Sequence, residues 1–105
     1  MIHILKTWPL FFEAVKDGKK QFEIRFDDRG YAAGDHLVLR EYDPEKNKYT
    51  GEAIIVGVTW VIGITQGLQS GYVVMSLGKI IIADTVSEPS GVTEAMISDD
   101  AGEDV

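Results

Sequence analysis

The chain has no cysteine. Neither a disulfide framework nor a thiolate metal site is open to it. Its two histidines, His3 and His36, have no H-x-x-x-H spacing, and no metal centre is expected. No apolar run reaches the roughly 20 residues of a membrane-spanning helix. Glycine-rich phosphate loops, nucleophile elbows and a Ser/His/Asp order are also missing, which leaves no expectation of a cofactor. The opening segment, Met1-Ile2-His3-Ile4-Leu5-Lys6, lacks the basic start and long apolar stretch of a signal peptide, and a cytoplasmic location is expected. Basic residues are absent from the last stretch: residues 84–105 carry seven acids and no Lys or Arg. The net charge of −7 is therefore a property of that stretch, and residues 1–83 are formally neutral. A neutral body denies the broad basic face that drives strong non-specific nucleic-acid binding, so any such contact is expected to be local.

What is present fits one domain of 105 residues with 45% hydrophobic content, enough for a modest core. His3 to Lys6 reads as a short strand. Trp8, Phe11, Phe12 and Val15 recur at i, i+3, i+4 and i+7, the spacing of one apolar helix face, with Thr7 as the expected cap and Pro9 in the first turn. Gly18 is expected to end that helix. His36 to Tyr42, Thr50 to Ile62 and Tyr72 to Leu77 read as strands. Asp43 to Lys48 reads as a hairpin loop and Gly63 to Gly71 as a glycine-punctuated loop. Ile54, Val56, Val58 and Trp60 are expected on one face, with Gly57 marking a bulge or bend. Lys79 to Ala83 either continues the last strand or forms another. A strand, one helix and several hairpin-connected strands make an α+β pattern, a small curled sheet covered by one helix. The domain is expected over residues 1–83, with residues 84–105 a disordered acidic tail.

Gly18-Lys19-Lys20-Gln21-Phe22-Glu23-Ile24-Arg25 is the most informative segment. It reads G-x-K-x-x-E-x-R, and it places three charged groups where a helix gives way to a strand. From Lys20 to Phe26 the chain alternates, with Phe22, Ile24 and Phe26 apolar and Gln21, Glu23 and Arg25 polar, the period of a half-buried strand. Glu23 and Arg25 share a face, with Cα atoms about 6–7 Å apart. Two readings are open. In one, the polar face is solvated and carries a surface ion pair. In the other, it lines a site.

The octapeptide resembles the signature of ASCH domains, members of the PUA-like superfamily. His3-Ile4-Leu5-Lys6, Trp8-Pro9, Phe12-Glu13-Ala14-Val15, Asp28-Arg29, Gly34-Asp35, Leu39-Arg40-Glu41-Tyr42-Asp43 and Gly71-Tyr72-Val73-Val74-Met75 extend the likeness to a small, uncharacterised, DUF3850-like branch found in bacteria and phages. The likeness covers residues 2–77. It implies a compact PUA-like β-barrel covered by one N-terminal helix, with a pocket between helix and barrel.

In that frame Lys20, Glu23, Arg25, Tyr72 and His3 are the expected ligand-binding residues. Lys20 would act as a cation or base at the pocket. Glu23 would accept from a base edge or orient the lysine. Arg25 would grip phosphate or carboxylate bidentately, and Tyr72 would stack on a base. Each also has a plainer reading: an exposed lysine, a structural Glu23–Arg25 ion pair, an ordinary strand residue for His3. Arg29 and Arg40 are expected to be neutralised by their acidic neighbours, and Trp8 and Trp60 to pack in the core. The resemblance implies an RNA- or nucleotide-binding module that recognises a base or nucleotide. The first alternative is a small amidohydrolase acting on an acylated, modified nucleoside, with Lys20 and Glu23 as its catalytic core. The amidohydrolases among small ASCH proteins use a threonine where this chain has Glu23, and a further glutamate from the stretch matching Gly63 to Gly71, which here has no carboxylate. The expectation therefore leans away from an enzyme. The second alternative is a phage-type protein-interaction factor whose acidic tail meets a basic partner.

Overall fold

The computed structural model describes residues 1–63 and 67–85. Its elements are β1 (Ile2–Thr7), α1 (Pro9–Lys16), β2 (Phe22–Phe26), β3 (His36–Asp43), β4 (Lys48–Ile62) and β5 (Tyr72–Thr85). The five strands form one curled half-barrel sheet in the order β1-β3-β4-β5-β2. β1 runs parallel to β3, and the other neighbours are antiparallel. β5 is longer than its first apolar run. It passes through Gly78 and ends at Thr85, two residues beyond the expected domain boundary, and the rest of the expected tail lies outside the described residues.

The concave face holds the main core. Leu5, Leu39 and Ile54 stand opposite one another across β1, β3 and β4, and Val56, Val58, Val73, Met75 and Leu77 continue the cluster. α1 adds Phe12 and Val15 and packs on β3. A smaller cluster of Ile4, Val38 and Ala53, with Ile55 against it, lies apart from that core. Alternation along each strand puts successive side chains on opposite faces, so one sheet serves both clusters.

α1 departs from expectation at its start. Its N-cap is Trp8, with no side-chain cap bond, while Thr7 still belongs to β1. Trp8 itself is exposed and does not join the core. The helix end is as anticipated. Gly18 has φ +77°, its amide donates to the Val15 carbonyl at 3.0 Å, and the Lys19 amide donates to the Ala14 carbonyl at 2.9 Å. This is the Schellman pattern. The Lys20 amide shares the Ala14 carbonyl at 2.9 Å, which fixes where the lysine leaves the helix.

The long hairpin β4–β5 shifts register three times, between Ile55 and Val56, between Val56 and Val58, and between Val58 and Trp60. The expected irregularity at Gly57 falls among them. The last shift inserts Thr59 and reverses the alternation. Val58 opposes Leu77 inside, but Trp60 opposes Ser76, and Val61, not Trp60, packs against the core. Trp60 is 58% exposed. A bulge, invisible to a strict period of two, overturned the expectation that it would be buried.

The left-handed conformation at Gly18 sets a test. A Cβ there meets nothing within 4 Å, so Gly18→Ala carries only the backbone penalty. It is expected to cost about 1–2 kcal/mol in urea unfolding, with an unchanged circular dichroism spectrum.

Candidate functional site

β2 is built inside out. Phe22 and Phe26 are exposed, Ile24 is half-buried, and Glu23 and Arg25 are fully buried at 0% and 1% exposure. The reading of a solvated polar face is thereby corrected: the polar side faces the interior. The reason is pairing. Glu23 stands opposite Met75 and Arg25 opposite Val73, both on the concave side of β5, and side chains of paired residues share a face.

The interior charges satisfy one another. Lys20 Nζ donates to Glu23 Oε1 at 2.7 Å, and Arg25 Nε donates to Glu23 Oε2 at 3.0 Å. Both carboxylate oxygens are thus engaged by cations. Arg25 Nη2 donates to the Lys6 carbonyl at 3.0 Å. That bond joins β2 and β1, the two ends of the sheet, across the seam of the half-barrel. Lys20 is 7% exposed, and its ammonium lies 5.5 Å from the ring centre of Phe11 and 5.2 Å from that of Phe22. The expected structural ion pair between Glu23 and Arg25 is present, and Lys20 makes it a triad.

Lys20 also borders a cleft of about 470 Å³. Val15 and Gly18 line it from the end of α1, Gln21 from the connector, and Val56 with Leu77 to Ile80 from the bulged part of β4–β5. Val56, Leu77 and Ile80 belong to the stretch of β4–β5 in which the register shifts. Its walls are largely aliphatic, with Lys20, Gln21 and Lys79 as the polar groups. Glu23 and Arg25 are not among its lining residues; Glu23 holds Lys20 by its ammonium, and Arg25 holds Glu23.

The other expected site residues stand elsewhere. Tyr72 borders a second cleft of about 440 Å³ with Asp27, Ser70 and Gly71, and its ring meets Phe26 edge-on at 5.6 Å. His3 is buried on β1, with Nε2 2.8 Å from Asp35 Oδ2. A carboxylate only accepts, so that nitrogen carries the proton. Asp35 also accepts from the Ala32 amide at 3.0 Å and from the Met1 ammonium at 3.1 Å. Burial pushes the Asp35 carboxyl up, but the bonds from His3, the ammonium and the amide outweigh it and hold the group below its ordinary value. Sequence analysis placed Gly34-Asp35 among the blocks of the family likeness, and it missed this partner of His3. Arg29 does pair with its neighbour Asp28, at 3.3 Å. Arg40 lies over the Tyr49 ring, 3.9 Å from its centre. Among the described residues no group of three or more His, Asp or Glu is placed to hold a metal ion, and no helix is long and apolar enough to cross a membrane.

A single curled sheet with one short helix, a buried Lys–Glu–Arg triad and a cleft at the helix end defines a small, barrel-like α+β domain. Residues 2–77 match the family model described as a domain of unknown function, DUF3850, and the chain belongs to that family. It is also similar to an uncharacterised 12.9 kDa protein in the GpA 3′ region of Escherichia phage P2, with 34% identity over 82 residues, covering 76% of this chain and 72% of that protein.

Two outcomes test the electrostatics. Glu23→Gln leaves two cations facing each other in the interior and is expected to cost about 3–5 kcal/mol in urea unfolding. Lys20→Met, at the cleft wall, is expected to cost less; equal losses would contradict a carboxylate-centred triad. For Asp35 the lowered folded pKa means that its contribution is complete above the unfolded value of about 3.9 and is lost as pH falls through the folded value. Asp35→Asn should therefore lower the urea midpoint at neutral pH and flatten the decline in stability below about pH 4.

Proposed function

We propose that the protein is an RNA- or nucleotide-binding module of PUA-like (ASCH) type that receives a base or nucleotide in the cleft between the end of α1 and the β4–β5 bulges. The observation that carries this reading is Lys20. Lys20 lines the cleft, and the bond of its ammonium to Glu23 uses one of its three donors. A ligand oxygen arriving in the cleft meets a positioned, largely desolvated cation, whose hydrogen bonds are stronger than those of a lysine in water.

The rest of the cleft suits a base. Val15, Val56, Leu77 and Ile80 offer apolar surface to a flat ring, and the Gln21 amide offers both a donor and an acceptor to its edge. The volume lies within the range of small-molecule sites, about 300–1,000 Å³. Lys79 at the exposed rim is positioned by charge for a phosphate. The neutral body favours a local contact of this kind over a long phosphate track.

The amidohydrolase alternative gains no specific support. A general base must release and take up a proton, and both oxygens of Glu23 are committed to cations in a fully buried position.

The test is a calorimetric titration of the full chain with nucleoside monophosphates, acylated nucleosides and short RNAs. Lys20→Met is expected to weaken the bound member of that set roughly ten- to a hundred-fold, the worth of a hydrogen bond to a charged group. Lys79→Ala should weaken only ligands that carry phosphate. Raising the salt concentration should reduce affinity with a shallow slope, since few phosphates are contacted. Binding that survives both substitutions, or no binding by any compound, would overturn the assignment.

A further inference from the structure

The Lys20 cleft is lopsided in its hydrogen-bonding groups. Lys20, Lys79 and Gln21 supply its side-chain donors, and none of its lining residues is a carboxylate, a hydroxyl or an imidazole. The Gln21 amide oxygen is the one side-chain acceptor of the lining. A ligand that fills this cleft therefore has to bring acceptors.

The two lysines differ in setting. Lys79 is exposed, whereas Lys20 is buried, with the Phe11 and Phe22 ring centres 5.5 Å and 5.2 Å from its ammonium. Among the described residues Glu23 is the one hydrogen-bond partner of that ammonium, so two of its donors have none. Buried donors are ordinarily satisfied, and an exception points to a bound molecule or a functional role. Moving an ion such as phosphate into such surroundings costs far more than moving a neutral carbonyl. The exposed lysine thus suits the phosphate of a nucleotide, and the buried one suits an uncharged oxygen of its base.

Gln21 extends the pattern. A carbonyl only accepts, so the Gln21 amide nitrogen is the atom that faces the Gly18 carbonyl, at 3.1 Å. The amide oxygen is left to accept. Donor and acceptor come from consecutive residues, Lys20 and Gln21.

We propose that the cleft selects bases of the oxo type, which carry an exocyclic oxygen beside a ring N–H, over bases of the amino type. Uracil, guanine and hypoxanthine have that edge. Adenine and cytosine instead carry an amino group beside a bare ring nitrogen. The inference rests on the nucleotide-binding reading and names the ligand class of that site. An oxo oxygen has two lone pairs for the two spare donors of Lys20, and the neighbouring N–H donates to Gln21. An amino base can give Lys20 only the single lone pair of a recessed ring nitrogen. Turned the other way, it sets its amino group against an ammonium, donor against donor.

The test is a calorimetric titration of the full chain with the 5′-monophosphates of inosine, adenosine and purine riboside, which differ only along that edge of the purine. Inosine monophosphate is expected to bind about tenfold or more tighter than the other two, the worth of a hydrogen bond to a charged group. Uridine monophosphate should likewise bind tighter than cytidine monophosphate. Lys20→Met should bring the three purines to within about threefold of one another. Gln21→Leu is the second variant, at an exposed position where folding is not at stake. It should reduce the inosine advantage and leave purine riboside monophosphate unchanged. Equal affinities in the wild type, a preference for the amino bases, or an oxo preference that survives both substitutions overturns the oxo-base inference and leaves the nucleotide-binding reading standing. Absence of binding by all five also overturns it, and takes that reading with it only if short RNAs fail as well.

Discussion

The Glu23 carboxylate is the constraint around which the domain is arranged. A fully buried carboxylate is strongly unfavourable unless cations and hydrogen bonds replace its water, and Lys20 and Arg25 do so, one on each oxygen. Meeting that requirement fixes several other features. Arg25, drawn inside, reaches the Lys6 carbonyl and joins the two ends of the sheet. Lys20, drawn toward the same carboxylate, is placed at a cleft wall. The alternating apolar residues of β2 are left on the outside. One buried acid therefore shapes the seam of the half-barrel, the candidate site and the exposed face together.

Backbone irregularity does the remaining work. The Schellman end of α1 delivers Lys20 at a defined height, through a Gly18 that adopts a left-handed conformation without strain. The register shifts of β4–β5 lie beside the cleft and turn Trp60 outward. A perfectly regular hairpin would leave Trp60 on the face of Val58. Bulges of this kind bend and twist the strands that carry them, and the sheet curls where they occur.

Membership of the DUF3850 family, a domain of unknown function, and the likeness to an uncharacterised phage P2 protein leave the chemistry to be read from the site. A fold hosts many functions, and a function belongs to the site. In this chain the site is a cation held at the edge of an apolar cleft. The one acid beside that lysine is bound to two cations, Lys20 and Arg25.

Much of the architecture was legible in the sequence alone. The helix face of Phe12 and Val15, the stop at Gly18, the strands and the hairpin order follow from local periodicity and turn chemistry, which act over a few residues. The pairing of Glu23 with Arg25 was legible too, from their spacing on one face of a strand. Which way they point was not. Alternation states that Glu23 and Phe22 lie on opposite faces, but only pairing with Met75 and Val73 on β5, some fifty residues away, decides which face is interior. Trp60 was misread for the same reason, since a single inserted residue reverses every side chain beyond it. Asp35 became the partner of His3 only when β1 was laid parallel to β3. The sequence by itself determined the elements and the charged residues at their junction. The tertiary structure decided which face of each element is buried, because burial is a property of strand pairing across the whole chain and not of any local run.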